Sequence, residues 1–558
     1  MKTIDEGKLR EILPLVARPG RYLGNEWNAV RKDLDKVDVK FALAFPDIYD
    51  VGMSYLGLRI LYGVLNNRDD IACERVFAPW PDFEGWLRKE GMPLFSLESK
   101  IPIKDFDIIG FSLTYELNYP NVLNMLDLSG VPLRRVERSD SDPLIIAGGP
   151  SAFNPAPMSE FIDAFLIGEG EEAVLEIVDV YKRTKGAQGH KDTRTQDGTV
   201  RNLPEGDQSP QPKANSPKPN NETITRKDVL RELANIEGVY VPDFPREVKK
   251  RIVKDLDKAF YPVKEIVPYV QIIHDRITLE IMRGCPFSCK FCQASSFYRP
   301  ARLRSREKIL KLALDIYGNT GYDEISLLSL SSSSYPDVFL LVSDLMDAFQ
   351  GLGVGVSLPS LRSEDMLKLL PSLIAKIRKT GLTFAVEAGS DRLRRHIGKD
   401  IDVEKIFRAC DEAFRAGWKL VKFYFMIGLP TETYEDLGGI PDFINRILAL
   451  DKQARLSISI TGFVPKAHTF FEGETMENLQ GFIDKQNFLK ERLKNKRVKL
   501  KFHDAKISLL EGKLSRQDNR LSELIFAAWR KGVRLNAWHE FFNFELWTEA
   551  LNETGFHT

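Results

Sequence analysis

Three of the five cysteines in the chain, Cys285, Cys289 and Cys292, lie within one short run with the spacing C-x3-C-x2-C. Three thiolates this close together can bind one soft metal centre. Iron–sulfur clusters usually take four Cys ligands, and structural zinc takes four Cys or His ligands. A set of three with no close fourth therefore indicates an iron centre with one iron left open for another ligand. This run is the predicted reactive centre.

Two other interpretations of the cysteine run remain. A zinc site would need a distant fourth ligand, such as His274. A disulfide is disfavoured because no secretory signal precedes the run, and five cysteines in a chain of this length fit a reducing compartment. The surrounding sequence favours the cluster over the zinc site.

The spacing of the three cysteines, with the aromatic Phe291 just before the last, resembles the signature of the radical SAM superfamily. The resemblance implies that the cysteines hold a 4Fe-4S cluster and that the amino and carboxylate groups of S-adenosylmethionine (SAM) chelate the fourth iron. It also implies one-electron cleavage of SAM to a 5′-deoxyadenosyl radical, with electrons from a donor such as flavodoxin or ferredoxin. The cofactors would do the chemistry and the protein would position them.

The elements around the cysteines predict a barrel over residues 270–480. Most of the strand candidates are followed by a helical pattern, which predicts a partial (β/α)6 barrel, also the core fold of the superfamily. Chemistry in such barrels lies on the loops that follow the strands. The strand candidates are Ile277–Met282, Ile325–Leu330, Val356–Leu358, Phe384–Val386, Leu420–Met426 and Ser457–Phe463.

The loops after these strands hold the candidate site residues. By resemblance, Ser331 and Ser332 would lie near the methionine amino group of SAM, Glu387 near its ribose or amino group, and Ile427 near its adenine. Two residues after the last strand are candidates for substrate contact or acid–base catalysis, with a plain polar loop as the alternative. They are Lys466 and His468.

Residues 1–182 alternate strand and helix patterns, which predicts a doubly wound, Rossmann-like parallel sheet. The predicted strands are Val39–Phe45, Asp107–Leu113, Pro143–Ala147 and Phe161–Ile167. The strand ends resemble the pattern of cobalamin-binding domains, and the residues that would bind the cofactor are Asp47, Gly52, Ser112, Thr114, Gly148 and Gly149. The position of the cobalt-ligating His is Tyr49, and no His precedes His190. We therefore expect either cobalamin bound without a protein imidazole or a domain that has lost the cofactor.

The remaining segments are predicted from composition. Residues 183–225 are polar and rich in Gly and Pro, which predicts a disordered insertion, and residues 226–269 form a bridge to the barrel. Residues 481–558 predict a helical extension with a basic, helix-prone run over Lys490–Lys506. The aromatic segment Trp538–Trp547 is expected to pack against the barrel. Cys73 and Cys410 are expected to be core residues.

Composition sets the outer limits. A chain of 558 residues with 43% hydrophobic and 28% charged residues predicts two or three globular domains. Lys+Arg and Asp+Glu are equal at 79 each, so no global charge indicates a nucleic-acid partner. No apolar run has the length of a membrane span, which predicts a cytoplasmic protein without a membrane partner.

The chain resembles, over nearly its whole length, a group of bacterial radical SAM proteins with a cobalamin-binding-like N-terminal domain. The leading hypothesis is a radical SAM enzyme that transfers a methyl group to an unactivated carbon of an unknown substrate. One alternative is an RNA-modifying enzyme of the methylthiolation type, although Cys73 and Cys410 cannot supply the second cluster of that chemistry. The other is a non-catalytic iron–sulfur scaffold or assembly protein.

Overall fold

The computed structural model describes residues 3–192, 225–357 and 382–556, with backbone alone for 185–192. Most of the predicted disordered insertion, residues 193–224, lies outside the described residues, as does Leu358 at the end of a predicted strand. The first part of that insertion was predicted wrongly, because the helix Gly170–Asp192 continues through it.

A six-stranded sheet forms the N-terminal domain, in the order β2-β1-β3-β4-β5-β6. Its first five strands are parallel and β6 runs antiparallel to β5. This is the doubly wound arrangement that the sequence predicts. The strands are β1 Val39–Phe45, β2 Ile71–Phe77, β3 Ile108–Ser112, β4 Leu144–Gly148, β5 Ala164–Leu166 and β6 Val239–Tyr240.

The sheet is buried on both faces, which explains why β1 is an almost uninterrupted apolar run. Phe41 and Leu43 belong to a core shared with the first barrel strands and helices. Ala42 and Ala44 belong to a second core, shared with the C-terminal helices. The N-terminal sheet therefore lies between the barrel and the C-terminal segment.

Parallel strands build the barrel region, in a three-stranded sheet of order β11-β10-β7 and a four-stranded sheet of order β12-β13-β14-β15. A short antiparallel pair, β8 and β9, flanks the cysteines. The predicted strands are all present with shifted ends. The strands are β7 Ile277–Glu280, β8 Met282–Arg283, β9 Arg302–Leu303, β10 Glu324–Leu328, β11 Gly355–Ser357, β12 Leu382–Glu387, β13 Leu420–Ile427, β14 Arg455–Gly462 and β15 Val498–Phe502.

Strand β15 corrects the prediction of a helix through Lys490–Lys506. The preceding helix ends at Arg492, and Val498–Phe502 pairs in parallel with β14. The run alternates apolar residues with lysines, and Val498, Leu500 and Phe502 pack against the core of the four-stranded sheet. This period of two fits a strand with one solvated face.

The C-terminal aromatic segment packs against the N-terminal domain rather than the barrel, so that prediction was wrong. The indole Nε1 of Trp538 donates to Asp47 at 2.8 Å, and its ring meets Trp80 edge-on at 5.6 Å between centroids. Helix Leu521–Arg530 belongs to the same core as helix Tyr119–Leu128. This side of the N-terminal sheet is apolar and needs the cover.

The helices pack against the faces of these sheets. None in the described part of the chain is long and apolar enough to cross a membrane. Cys73 and Cys410 are buried in core clusters, as predicted. The helices are Glu6–Ile12, Tyr49–Gly52, Leu56–Asn66, Pro81–Glu90, Tyr119–Leu128, Gly170–Asp192, Arg226–Leu233, Gln293–Phe297, Arg306–Thr320, Val338–Ala348, Asp391–His396, Val403–Arg415, Tyr434–Leu450, Leu479–Arg492, Ala505–Leu514, Leu521–Arg530 and Phe544–Glu553.

Candidate functional site

The cysteines lie in a loop that is closed at its base by β8 and β9, where Arg283 pairs with Arg302. Gly284 opens the loop with φ near +92°, and a Cβ there would lie 2.3 Å from the Tyr298 carbonyl oxygen. Only glycine fits that position. The last cysteine, Cys292, caps the helix Gln293–Phe297 at its N-terminus. The backbone is thus constrained at both ends of the cysteine run.

None of the three cysteines forms a disulfide, and all three are partly exposed. Burial raises the pKa of Cys289, the charge of Lys399 lowers it, and the neighbouring Cys292 and Cys285 thiols raise it further. Each thiol is thus within electrostatic range of Cys289. The described residues include no group of three His, Cys, Asp or Glu side chains arranged around a single metal ion. A 4Fe-4S cluster does not require such a grouping, because each thiolate binds a different iron.

The cysteine loop is held by two other loops of the barrel. The Lys290 amide donates to the Ile397 carbonyl at 2.9 Å, and the Phe471 amide donates to the Lys290 carbonyl at 3.3 Å. Gly398, with φ near +72°, approaches the same loop so closely that a Cβ would lie 3.0 Å from the Ser288 carbonyl oxygen. Loops that follow three different strands therefore meet at the cysteines.

Glu387 lies at the end of β12, beside this junction. Its backbone has φ near +70° next to an irregularity in strand pairing, which turns the residue out of the sheet. Its carboxylate binds the ammonium of Lys399 at 2.7 Å, and both side chains are largely buried. Lys399 is also the cation that acts on Cys289. The carboxylate predicted to contact SAM thus lies in the neighbourhood of the cysteines.

Three other residues predicted to bind SAM have local partners. The hydroxyl of Ser331 pairs with that of Ser334 at 2.8 Å, and the hydroxyl of Ser332 pairs with that of Ser329 at 3.0 Å. Ile427 ends β13, and its carbonyl accepts the Phe463 amide at 2.8 Å. Their roles in binding SAM stay predictions.

Phe291 packs against a small apolar cluster that includes Ala388, Leu393 and Ile397. These three residues follow β12, so the aromatic residue of the cysteine motif packs against a cluster to which the loop after Glu387 contributes. Its contact with a cofactor stays a prediction.

The two candidate catalytic residues bind the N-terminal domain. The Lys466 ammonium lies 2.8 Å from carboxylates of both Glu116 and Glu511. Burial lowers the pKa of Lys466, but these two carboxylates outweigh it and raise the pKa overall. His468 has φ near +63°, and its ring Nε2 lies 2.7 Å from the Phe153 carbonyl oxygen. Both residues therefore join the barrel to the N-terminal sheet, and a catalytic role for either stays a prediction.

A cavity of about 340 Å³ lies between the N-terminal sheet and the barrel. Ser112, Gly148 and Gly149 line it at the carboxyl edge of the sheet. Residues Arg283 and Gly284, at the start of the cysteine loop, line it from the barrel side. The predicted cluster loop and the predicted cobalamin-binding edge thus share one cavity.

Sequence reasoning missed the aromatic residues of this cavity. Tyr55, Phe297 and Tyr298 line it, and the ring of Phe297 lies 4.0 Å from that of Phe153, centroid to centroid. Phe297 and Tyr298 follow the cysteine motif by only a few residues. Their position just after the cysteine motif was the available sequence signal, because the start of the loop that carries the motif lines the same cavity.

Three predicted cofactor residues do not line the cavity. Asp47 accepts hydrogen bonds from Trp538 and from the Ile48 amide, each at 2.8 Å. Gly52 packs under Phe77, where a Cβ would lie 2.3 Å from the ring. Thr114 is half-buried at the end of β3, outside the cavity lining. In the described structure, the end of β1 is therefore covered by the C-terminal segment.

Two family models match the chain. The model described as "Radical SAM proteins, N-terminal" matches residues 57–200, and that of the "Radical SAM superfamily" matches residues 279–444. An uncharacterized protein of Methanocaldococcus jannaschii is 27% identical over 489 residues, 87% of this chain and 90% of the relative. A putative methylthiotransferase of the same organism is 28% identical over 180 residues, 30% of this chain and 38% of that protein.

Solved structures with a similar fold include the radical SAM methyltransferase TsrM from Kitasatospora setae, with cobalamin and a 4Fe-4S cluster bound. It has a TM-score of 0.47 and 11% identity, over 75% of this chain and 72% of that one. The cobalamin-dependent SAM radical enzyme OxsB, with aqua-cobalamin bound, has a TM-score of 0.48 and 14% identity, over 88% and 66%. The superfamily model spans the three cysteines and the N-terminal model precedes it, so the chain belongs to the radical SAM superfamily of enzymes.

Proposed function

We propose that the chain is a radical SAM enzyme in which Cys285, Cys289 and Cys292 hold a 4Fe-4S cluster with one iron open to SAM. The observation that carries the proposal is the loop itself. It is closed at its base, holds three cysteines near one another without a disulfide, and begins in the wall of the interdomain cavity. Once bound, the cluster and SAM supply the one-electron cleavage that generates a 5′-deoxyadenosyl radical.

The described residues fit such a group. The Cys285 and Cys292 thiols both act electrostatically on Cys289, so the three lie near one another. The ion pair of Glu387 and Lys399 lies beside them and is proposed to orient the amino or ribose group of SAM. An external one-electron donor is required.

We further propose that the interdomain cavity accepts part of a cobalamin, bound without a protein ligand to cobalt. Gly148 fits this role because the space beside it is open: an added Cβ would lie 3.8 Å from its nearest neighbour, the Cβ of Leu166. Tyr49 does not reach the cavity, since its hydroxyl donates to Glu26 at 2.7 Å. Methyl transfer to an unactivated carbon is the reaction class that these cofactors would support together.

The test is SAM cleavage by the anaerobically reconstituted protein. The wild-type chain should release 5′-deoxyadenosine on reduction, and Cys289→Ala should lose both the iron and the cleavage. Cys410→Ala is the matched control, because that thiol is buried in the core of the four-stranded sheet. A Cys289→Ala protein with full iron and turnover would refute the assignment. A wild-type protein that holds the cluster without cleaving SAM would indicate a scaffold.

A further inference from the structure

One lysine of the bridge to the barrel contacts the segment that follows the cysteines. The Nζ of Lys250 donates to the carbonyl oxygens of Ser296 and Phe297, each at 2.9 Å. It also donates to the Arg299 carbonyl oxygen at 2.8 Å. An ammonium has three hydrogen-bond donors and no acceptor. Backbone carbonyls just after Cys292 can therefore use all three donors of Lys250.

Two of these carbonyls end a short helix. Helix Gln293–Phe297 has five residues, and Cys292 is its N-cap. The last carbonyls of a helix lack a partner inside the helix, and a helix this short is unstable in isolation. A cation at the C-terminal end supplies the missing donors and is attracted by the partial negative charge there. Lys250 thus stabilises the helix whose other end positions a cysteine.

Arg299 extends this contact to the middle of the cysteine run. Its guanidinium donates to the Phe287 carbonyl at 2.9 Å and to the Ser288 hydroxyl. Phe287 and Ser288 lie between Cys285 and Cys289. The same lysine therefore supports the segment between the first two cysteines through Arg299, and the third cysteine through the short helix.

The bridge is itself paired with the N-terminal domain at the residue after Lys250. The Arg251 amide donates to the Ile167 carbonyl at 3.0 Å, and the Glu169 amide donates to the Arg251 carbonyl at 3.1 Å. Gly168 has φ near +119°, and a Cβ there would lie 2.3 Å from the Arg251 carbonyl oxygen. Only glycine permits this approach. Lys250 therefore extends from a backbone that is fixed at the wall of the interdomain cavity, which Gly168 and Glu169 line.

A lysine of this kind could instead serve only to satisfy backbone carbonyls. Lys32 has that role in the N-terminal domain, where its Nζ donates to the carbonyls of Asn66 at 2.8 Å and Ile71 at 2.7 Å. It also donates to the Arg68 carbonyl. The two lysines make the same kind of contact, but that of Lys250 is beside the cysteine motif and that of Lys32 is beside β2. Lys32 is therefore a matched control.

We propose that Lys250 is a positioning residue for the iron–sulfur cluster, because it holds the cysteine loop in the shape in which the three thiolates bind their irons and the open iron faces SAM. The part that concerns the cluster and SAM rests on the proposed function. Lys250 acts through the helix Gln293–Phe297 and through Arg299, so the role needs no contact with the reacting atoms. Its loss should loosen the loop and, as a consequence, alter the cluster.

The first test is amide hydrogen exchange in the cluster-free chain, read by mass spectrometry of peptides. In Lys250→Met, residues 285–299 should exchange at least about tenfold faster than in wild type, because a loop that loses hydrogen bonds opens more often. Lys32→Met should leave that segment at the wild-type rate and speed exchange around residues 66–71. Lys250→Arg keeps a cation at the carbonyls, but its planar fork cannot place three donors around one point, so its effect should be smaller.

The second test is electron paramagnetic resonance of the reduced, reconstituted protein with and without SAM, with iron per chain measured in the same samples. Lys250→Met should either lose the cluster or hold one whose spectrum differs from wild type and responds less to SAM. Lys32→Met should keep the wild-type iron content and the wild-type spectrum in both states, because the carbonyls that it binds lie in the other domain.

Wild-type exchange of residues 285–299 in Lys250→Met would overturn the inference. So would faster exchange with wild-type iron, spectrum and SAM response, because Lys250 would then do only what Lys32 does. If Lys250→Met does not fold, the same measurements on Lys250→Arg decide, with the same outcomes. A wild-type chain that takes up no cluster refutes the proposed function alone, and the exchange measurement still decides whether Lys250 holds the loop.

Discussion

The ammonium of Lys466 lies 2.8 Å from a carboxylate oxygen of Glu116, which binds a barrel loop to the N-terminal domain. Glu511 binds the same ammonium at 2.8 Å, so the C-terminal helix Ala505–Leu514 takes part. A second link joins His468 to the Phe153 carbonyl. The interdomain cavity depends on these links, because Phe153 also lines it.

Replacing Lys466 should therefore lower the stability of the folded chain. Lys466→Met leaves the Glu116 and Glu511 carboxylates without their cation, and breaking a buried ion pair costs about 3 to 5 kcal/mol. We expect the free energy of unfolding in urea to fall by that amount. Lys452→Met, at an exposed lysine, is the control and should be neutral. Unchanged stability with lost substrate turnover would instead favour a catalytic Lys466.

The same ion pairs predict how stability depends on alkaline pH. The pKa of Lys466 is raised above its ordinary value of 10.5, because the attraction of the two carboxylates outweighs burial. Its contribution to stability is fully present below 10.5 and is lost as the pH rises through the higher folded-state pKa. The stability difference between wild type and Lys466→Met should thus stay constant up to pH 10.5 and shrink as the pH rises through the folded-state pKa of Lys466. A difference that disappears near neutral pH would contradict this.

Sequence analysis predicted well those strands whose own residues indicate a buried strand, without any contribution from distant partners. Val39–Phe45 has the predicted bounds because an apolar run followed by Pro46 is a buried strand in any context. Strand β2 escaped prediction because Glu74 and Arg75 lie in its middle. Arg75 is buried there by ion pairs to Glu26 and Glu98, partners that no local pattern reveals.

The candidate site was predictable to the same degree. The cysteine motif carries its own spacing, and Glu387 follows its predicted strand directly, so both could be proposed from local sequence. Which strand ends line the cavity was not, because Asp47 is covered by Trp538, 491 residues away. That distant contact separates Asp47 from Gly148, although both follow predicted strands of one sheet.

Gly148 and Gly149 provide a matched pair of cavity variants. A Cβ at Gly149 would lie 2.6 Å from the Leu113 carbonyl oxygen, and φ there is near +99°. Gly149→Ala should therefore destabilise the chain by about 1 to 3 kcal/mol. Gly148→Ala has room, so it should fold normally and weaken cobalamin binding, measured by absorbance titration. Equal cobalamin affinity in Gly148→Ala and wild type would remove this edge from the proposed site.

Glu387 should affect SAM binding without affecting the cluster. Glu387→Gln keeps the volume of the side chain, removes its charge, and leaves the ammonium of Lys399 without its carboxylate. We expect SAM affinity to fall about tenfold or more, the effect of one charge-assisted hydrogen bond, with iron content unchanged. Glu404→Gln, in an exposed pair with Arg446, is the control. If SAM affinity does not change, the contact belongs to another loop.

The last prediction concerns what lies beneath cobalt if cobalamin binds. Tyr49 holds the position of the usual imidazole, but its hydroxyl donates to Glu26, and burial raises its pKa above the ordinary value of 10.0. A phenol that is neutral at pH 7 and turned toward Glu26 is a poor ligand. We therefore expect electron paramagnetic resonance of the Co(II) form to show no axial nitrogen from the protein, and Tyr49→Phe to leave the spectrum unchanged. Nitrogen splitting in a sample shown to be base-off would contradict this. The first 189 residues contain no His, so the nitrogen would have to come from an imidazole elsewhere in the chain.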